Sequence, residues 1–440
     1  MYWNNLKKTE GLTGSIYLYI KKKGWGSLSA FFIFSLISGC ATTPFPRVEI
    51  TQVDRFPAYE MADGSKIYPG SVEEAIPDVD ILAIDDDITS YLDERVKTIK
   101  NPRKRLEMLT KILVHKVLYD TLDDTYGAKT AQETFDSGTG NCLSFTNLFV
   151  AMTRYVGLKS VFSEIPTLPN WIREGEILFF TRHIGASVDI YKSFDQVIQL
   201  EISGQSTRMM TMSSNTRYYF TPSELAPEDY RVTTFGFTSI PDGRAFAQYY
   251  NNLGSRQLAD GNAPQAFRYF IKAIKTWPRL SFAWSNLGVV YRRNGQIDAA
   301  KAAYLQGLAV TQGSRDTSAL TIMNNLANLY EITGDREKAA FYKTQVASFR
   351  EKNPYYQYAA GKTAYKNALF EKSVGLFKKA IRLKDDEHLF YYGLALAYLK
   401  TGEIGKAELN ISRAIDHSWD RKSKDYYEKF LDAIKIKDIN

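Results

Sequence analysis

The sequence predicts an α+β domain followed by an all-α solenoid, both carried behind a short apolar leader. Three observations give that order. Apolar residues recur at helical spacing from Ile88 to Tyr119 and again over 142–156, and short β-rich runs follow at 159–165, 177–190 and 197–203. From about residue 245 onward, small and aromatic residues return at a spacing near 34 positions. A lysine cluster and a greasy run end at Cys40.

Composition sets the outer bounds. The 440 residues are enough for two or three domains. With 44% hydrophobic and 24% charged residues, the chain is neither disordered nor wholly membrane-embedded. The formal charge is +7, but residues 1–39 hold five lysines against Glu10, a net of +4, which leaves +3 on the remainder. That excess is too mild and too scattered for a nucleic-acid partner, and no basic helix or zinc-finger spacing accompanies it.

The leader reads K-K-K-G-W-G-S-L-S-A-F-F-I-F-S-L-I-S-G-C over 21–40. Its apolar run is about 15 residues, too short to span a bilayer, and has the shape of a secretory signal. The stretch Ile37-Ser38-Gly39-Cys40 resembles the lipobox of bacterial lipoproteins. That resemblance implies removal of residues 1–39, acylation of Cys40 and near-permanent membrane anchoring, since several acyl chains hold where one is marginal. Ala41 after the cysteine implies, by the same resemblance, the outer membrane with the body facing the periplasm. Residues 40–84 are rich in Pro, Asp and Gly without a period and read as a tether, with one short strand near Arg47–Val53. With Cys40 consumed by lipid, Cys142 is the one thiol left, and it has no cysteine to pair with in an oxidising compartment.

Residues 85–240 form the predicted α+β domain. Leu92, Val96 and Ile99, then Leu106, Leu109, Ile112, Leu113 and Val117, give two helices interrupted at Pro102. Cys142 follows Gly138-Thr-Gly140-Asn and opens a helix with Leu143, Leu148, Ala151, Met152 and Tyr155 as its apolar stripe. A thiol in the first turn faces the positive end of the helix dipole, which favours thiolate. The glycines allow a tight turn and close approach of a substrate backbone. A cysteine nucleophile needs a base, and the candidates are four histidines: His115, His183, His388 and His417. His183 lies in T-R-H-I-G-A-S-V-D-I, which alternates like a strand; the next strand, V-I-Q-L-E, carries Glu201. His115 sits on an apolar helix and reads as a core or surface residue. Asp120, Asp123 and Asp124 read as a solvated loop rather than a calcium site, so neither metal nor cofactor is expected.

Cysteine at a helix start, histidine on a strand and an acid on the next strand resemble the transglutaminase-like superfamily, permuted relatives of papain-like cysteine enzymes. The likeness rests on G-T-G-N-C-L-S-F-T-N-L-F at 138–149, V-G-L-K-S-V at 156–161, R-H-I-G-A-S-V at 182–188 and V-I-Q-L-E at 197–201, and spans about 88–205. It implies Cys142 as nucleophile, His183 as general base and Glu201 as orienting acid. The family usually has Asp in the third place, so Asp195 and Asp189 stand as alternatives. The oxyanion would meet the Cys142 backbone N–H and one further donor. Trp171 is a candidate wall of the cleft.

In the C-terminal part, Leu253-Gly254 is followed 34 residues later by Leu287-Gly288, and Ala327, Gly361 and Ala395 continue the small position. Tyr250, Trp284 and Tyr391 precede the leucine position by three; Tyr291, Tyr330 and Tyr398 follow the small position by three. Ala266, Ala300, Ala339 and Ala407 mark a second helix, with Phe270, Tyr304 and Phe377 beyond it. The pattern resembles the tetratricopeptide repeat, about five copies over 246–421 in a domain spanning 241–421, with 422–440 as a capping helix. Small residues should let the two helices of a hairpin approach, while the aromatics fill the groove between successive hairpins.

Two functions are compatible with this reading. One is a thiol acyl-transfer enzyme, of peptidase or amidase type, whose repeat groove recruits a periplasmic protein or peptide. The other is a membrane-tethered adaptor in which the repeats bind envelope partners and the N-terminal domain only binds.

Overall fold

The structure, a computed structural model, describes residues 52–117, 127–165, 171–174, 177–180, 183–189, 196–203, 206–213, 238–311, 318–418 and 421–438. All of them belong to one compact unit spanning 49–440. The leader, Cys40, Asp195 and the acidic loop at 120–124 lie outside the described residues. No helix among the described residues is long and apolar enough to cross a membrane.

The α+β part is an antiparallel sheet backed by helices. Helix α1 (Val72–Ala75) is one turn; α2 (Asp86–Leu92) runs on into a π-helical turn at Asp93–Lys97; α3 (Pro102–Val117) follows. The break expected at Pro102 is there, because proline sits best at a helix start. Helix α4 (Ala131–Ser137) and α5 (Cys142–Tyr155) flank the Gly138–Asn141 turn. The sheet order is β8 (Ser206–Ser213), β7 (Gln196–Ser203), β6 (His183–Asp189), β3 (Lys159–Ile165), β9 (Thr238–Ile240). A separate hairpin joins β4 (Trp171–Glu174) to β5 (Ile177–Phe180), and a small one joins β1 (Tyr59–Glu60) to β2 (Lys66–Ile67). Expected runs at 159–165 and 197–203 are strands; the run at 177–190 divides into β5 and β6, and α4, β4, β8 and β9 were not anticipated. Nor is α5 apolar along one stripe only: Leu143–Thr153 is buried on every side.

The solenoid is five helical hairpins: α6 (Asp242–Ala259) with α7 (Ala263–Thr276), α8 (Ser281–Arg293) with α9 (Ile297–Thr311), α10 (Ser318–Ile332) with α11 (Arg336–Lys352), α12 (Pro354–Lys366) with α13 (Phe370–Leu383), and α14 (His388–Lys400) with α15 (Ile404–His417). Helix α16 (Arg421–Asp438) closes the stack. The small position does what its spacing suggested, with one change. A Cβ on Gly254 would lie 2.7 Å from the Phe270 ring, and one on Gly361 2.7 Å from Phe377. The second-helix aromatic therefore lies on the glycine of its own hairpin, rather than only in the groove between hairpins. Phe377 does both, since a Cβ on Gly393 of the next hairpin would come within 2.9 Å of it. There is no linker between the two parts. Strand β9 ends at Ile240, Pro241 caps α6, and Arg154 on α5 grips Asp242 through two bonds of 2.6 and 2.9 Å. Glu164 on β3 accepts from Arg244 at 2.6 Å and from Gln248 at 3.3 Å.

Residues 52–84 correct the tether reading. Of the strand expected near Arg47–Val53, residues 47–51 lie outside the described residues, and Val53 opens a short 3-10 turn. Val53, Phe56, Tyr59, Val72 and Ile76 are buried, and Ile81 sends its carbonyl to the Ala131 N–H at 2.8 Å. A segment with five apolar side chains to bury does not stay in water when a repeat face is within reach.

At the far end, Glu387 caps α14 and is 3% exposed beside His388 at 1%. Tyr355 donates to the Glu387 carboxylate at 3.4 Å, and the His388 Nε2 lies 3.8 Å from it. His388 Nδ1 meets the Tyr427 hydroxyl of α16 at 2.9 Å, which ties the cap to this buried pair. Burial pushes the Glu387 carboxyl up to about 7, with the nearby Lys384 acting against it.

Two expectations follow. Gly361→Ala gains about 1 kcal/mol of helix propensity but drives a methyl into a ring fixed from both sides, which costs about 1–3 kcal/mol. Overpacking wins, and urea unfolding should show a net loss of about 1 kcal/mol. For Glu387 the folded form holds its proton above the ordinary carboxylate range, so the folded state binds more protons than the unfolded state between pH 4.5 and 7. Stability should therefore fall as pH rises through that window, by roughly 3 kcal/mol. In Glu387→Gln the decline should vanish, and a wild-type melting curve that is flat from pH 5 to 8 would contradict the assignment.

Candidate active site

The site begins with a turn that the sequence caps at both ends. Thr130 and Glu133 form a reciprocal capping box at the start of α4. Gly138 ends α4 with φ +64°, a left-handed conformation that glycine adopts without strain. Asn141 caps α5: its side-chain oxygen accepts from the Ser144 N–H at 3.0 Å. Cys142 is then the first helical residue, half-buried, with no acidic residue in the first turn to oppose the dipole.

The turn is held from below. Lys129 N–H donates to the Ser144 hydroxyl at 2.9 Å, and that hydroxyl lies 3.0 Å from Asn141 Oδ1. Asn147 donates to the Lys129 carbonyl at 3.0 Å. The Lys129 ammonium reaches Ser137 at 3.1 Å and Thr139 as well. Gly140 is required by space: a Cβ there would lie 2.6 Å from the Ser144 Cβ.

The decisive contact is one turn along α5. The Thr146 hydroxyl lies 2.7 Å from the Cys142 carbonyl and 2.9 Å from the Ile184 carbonyl of β6. One proton serves either acceptor, so the hydroxyl links the thiol-bearing turn to the residue that follows His183. His183 opens β6 and pairs with Ile165 on β3. In β7, Leu200 pairs with Ala186, so Glu201 stands one step nearer the His183 end, beside Gly185. Its α-carbon is on the order of 8 Å from that of His183 by strand geometry. Asp189 closes the other end of β6, opposite Val197, six residues from His183 and roughly 20 Å away by the strand rise. Of the two alternative third members, Asp189 thus stands at the end of β6 away from His183, and Asp195 lies outside the described residues. Trp171 is in β4, paired with Phe180. Among the described residues no group of three or more His, Cys, Asp and Glu side chains could hold a metal.

Sequence reading missed Thr146, Ser144 and Lys129. The capping box T-A-Q-E at 130–133 was a legible signal for α4. Nothing local marks Thr146, whose partner on β6 is 38 positions away.

Residues 90–171 match the transglutaminase-like superfamily. Residues 279–352 and 358–421 match the tetratricopeptide repeat. The chain therefore carries a transglutaminase-like domain and a tetratricopeptide-repeat solenoid. The first match includes Cys142 and ends before His183 and Glu201. No curated protein matches the chain in sequence. Among solved structures, it is similar to the APC/C hetero-tetramer Cut9–Hcn1 at 17% identity, over 44% of this chain and 37% of that one, with a TM-score of 0.23. It is similar to YrrB, a repeat protein with an unusual peptide-binding site, at 16% identity over 42% of this chain and 92% of that one, TM-score 0.22. PilF of Pseudomonas aeruginosa shares 19% identity over 44% of this chain and 94% of that one, TM-score 0.23.

Thr146→Val keeps the shape but leaves the Ile184 carbonyl without this donor. Chemical unfolding should show a loss of about 1–2 kcal/mol. Gly140→Ala should displace the turn and change the rate at which a small electrophile alkylates Cys142. An unchanged rate would mean that the turn does not govern access to the sulfur.

Proposed function

We propose that the chain is a membrane-anchored envelope lipoprotein whose transglutaminase-like domain cleaves amides through a thioester, and whose repeats bind a protein or peptide. The observation that carries this reading is the Thr146 bridge, which holds the Cys142 turn against β6 at the residue next to His183. In the proposed reaction the Cys142 thiolate attacks an amide carbonyl. The negative charge collects on oxygen near the N–H groups of the first turn of α5. The carbon–nitrogen bond breaks, and His183, having taken the thiol proton, returns it to the leaving amine. Water then attacks the thioester with His183 as base and releases the acid. Glu201 orients the imidazole. Hydrolysis is favoured over crosslinking because no second amine pocket is marked in the sequence. The lipid on Cys40 would set the domain on the periplasmic face of the outer membrane.

A second reading, a non-catalytic adaptor, is favoured by two observations: the superfamily match stops at residue 171, and the proposed acid position holds Glu201 where Asp is usual. A thiol probe separates the two. For an active site, iodoacetamide at pH 6 should alkylate Cys142 rapidly, with the rate falling at least tenfold in His183→Ala. Slow labelling at pH 6 that is indifferent to His183 would leave only the adaptor.

A further inference from the structure

The surface of the first two repeats is already in use. Phe56 packs on Trp284 with ring centroids 5.0 Å apart, and Tyr59 on Phe267 at 5.5 Å. Between and beyond them, side chains of the repeats hold the main chain of the segment. Tyr291 donates to the Pro57 carbonyl at 2.5 Å, Gln296 to the Ala58 carbonyl at 2.8 Å and Asn294 to the Glu60 carbonyl at 2.9 Å. Gln296 also accepts from the Glu60 N–H at 3.4 Å. Three carbonyl captures within four residues and a returned N–H are the way a protein reads an extended peptide: the main chain gives affinity and the aromatic pockets give selection.

Charge completes the match. Lys272 is buried on α7 and meets Glu73 and Asp78, each at 2.5 Å; Lys275 meets Asp54 at 2.9 Å. Burial acts to lower the Lys272 ammonium, but its bonds to Asp78 and Glu73 prevail and hold it above the usual lysine range. The segment itself has little to keep it folded alone, since its hairpin pairs only Tyr59 with Ile67 and Glu60 with Lys66. Its order comes from the face beneath it, as for a chain that folds on binding.

We propose that the face formed by α7, α8 and the turn after α8 is a peptide-recognition site, and that residues 52–79 are its resident ligand, held in cis. The partner it fits is a peptide with two aromatic residues three positions apart in an extended stretch, and with acidic residues that reach Lys272 and Lys275. Such a partner gains access by displacing the resident segment, and the solenoid stays folded while this happens. The inference does not rest on any chemistry at Cys142.

The test titrates the full mature chain with a fluorescent peptide of residues 52–79. In Phe56→Ala/Tyr59→Ala the resident is loosened while the face is intact, so the peptide should bind at least tenfold more tightly than to wild type. Adding Lys272→Glu/Lys275→Glu to that variant should abolish binding. Failure of the peptide to bind the loosened variant overturns the proposal. Should that variant not fold, hydrogen exchange on the unaltered chain decides. Amides of Phe56, Met61 and Gly64 should open at least tenfold faster than those within α7; equal protection would make the segment an integral part of the fold and overturn the proposal.

Discussion

The structure depends on α5 being buried on all sides while carrying polar side chains. Ser144, Thr146, Asn147 and Thr153 are each fully buried. A buried hydroxyl or amide without a partner costs about 1–3 kcal/mol, so each of these groups dictates what may lie next to it. Ser144 and Asn147 fix the strand of loop at 127–130, Thr153 fixes Ser160 at 2.7 Å at the start of β3, and Thr146 fixes β6. The place where the thiol meets the sheet is a consequence of these demands. An apolar helix at the same place could slide or rotate; this one has a single register.

The same economy of freedom joins the two parts of the molecule. The sheet ends in β9 and the solenoid begins one residue later, with Arg154–Asp242 and Glu164–Arg244 across the junction. Phe162 of β3 meets Phe246 of α6 edge to face at 6.2 Å. Glu164 is 5% exposed, and a carboxylate taken so far out of water is stable only with its cation in place, so the contact fixes orientation more than it adds stability. On the other side of the first repeat, residues 52–79 bind α7. The first hairpin is thus held by both the sheet and the N-terminal segment, and the second by that segment through Trp284, Tyr291, Asn294 and Gln296.

Much of this was legible from sequence where the physics is local. Helix breaks at Pro102, the turn at Gly138, the strands at 159–165 and 197–203 and the five hairpins all follow from nearest-neighbour rules: proline geometry, glycine freedom, alternation and period. The tether was misread because composition reports a lack of period, and a segment can lack period and still have Val53, Phe56 and Tyr59 placed for another surface. Helix α4 was missed although its capping box was present, because seven residues are too few to show a hydrophobic period.

What the sequence by itself determined is the inventory and its order: a thiol at a helix start, a histidine and an acid on later strands, and a 34-residue repeat. These depend on contacts a few residues apart. Only the tertiary structure decided that Thr146 clamps the thiol turn to β6 and that the N-terminal segment lies on α7 and α8. Those outcomes turn on pairings separated by tens to hundreds of positions, where the register of a strand or the burial of one hydroxyl selects among arrangements that local spacing leaves equal in energy.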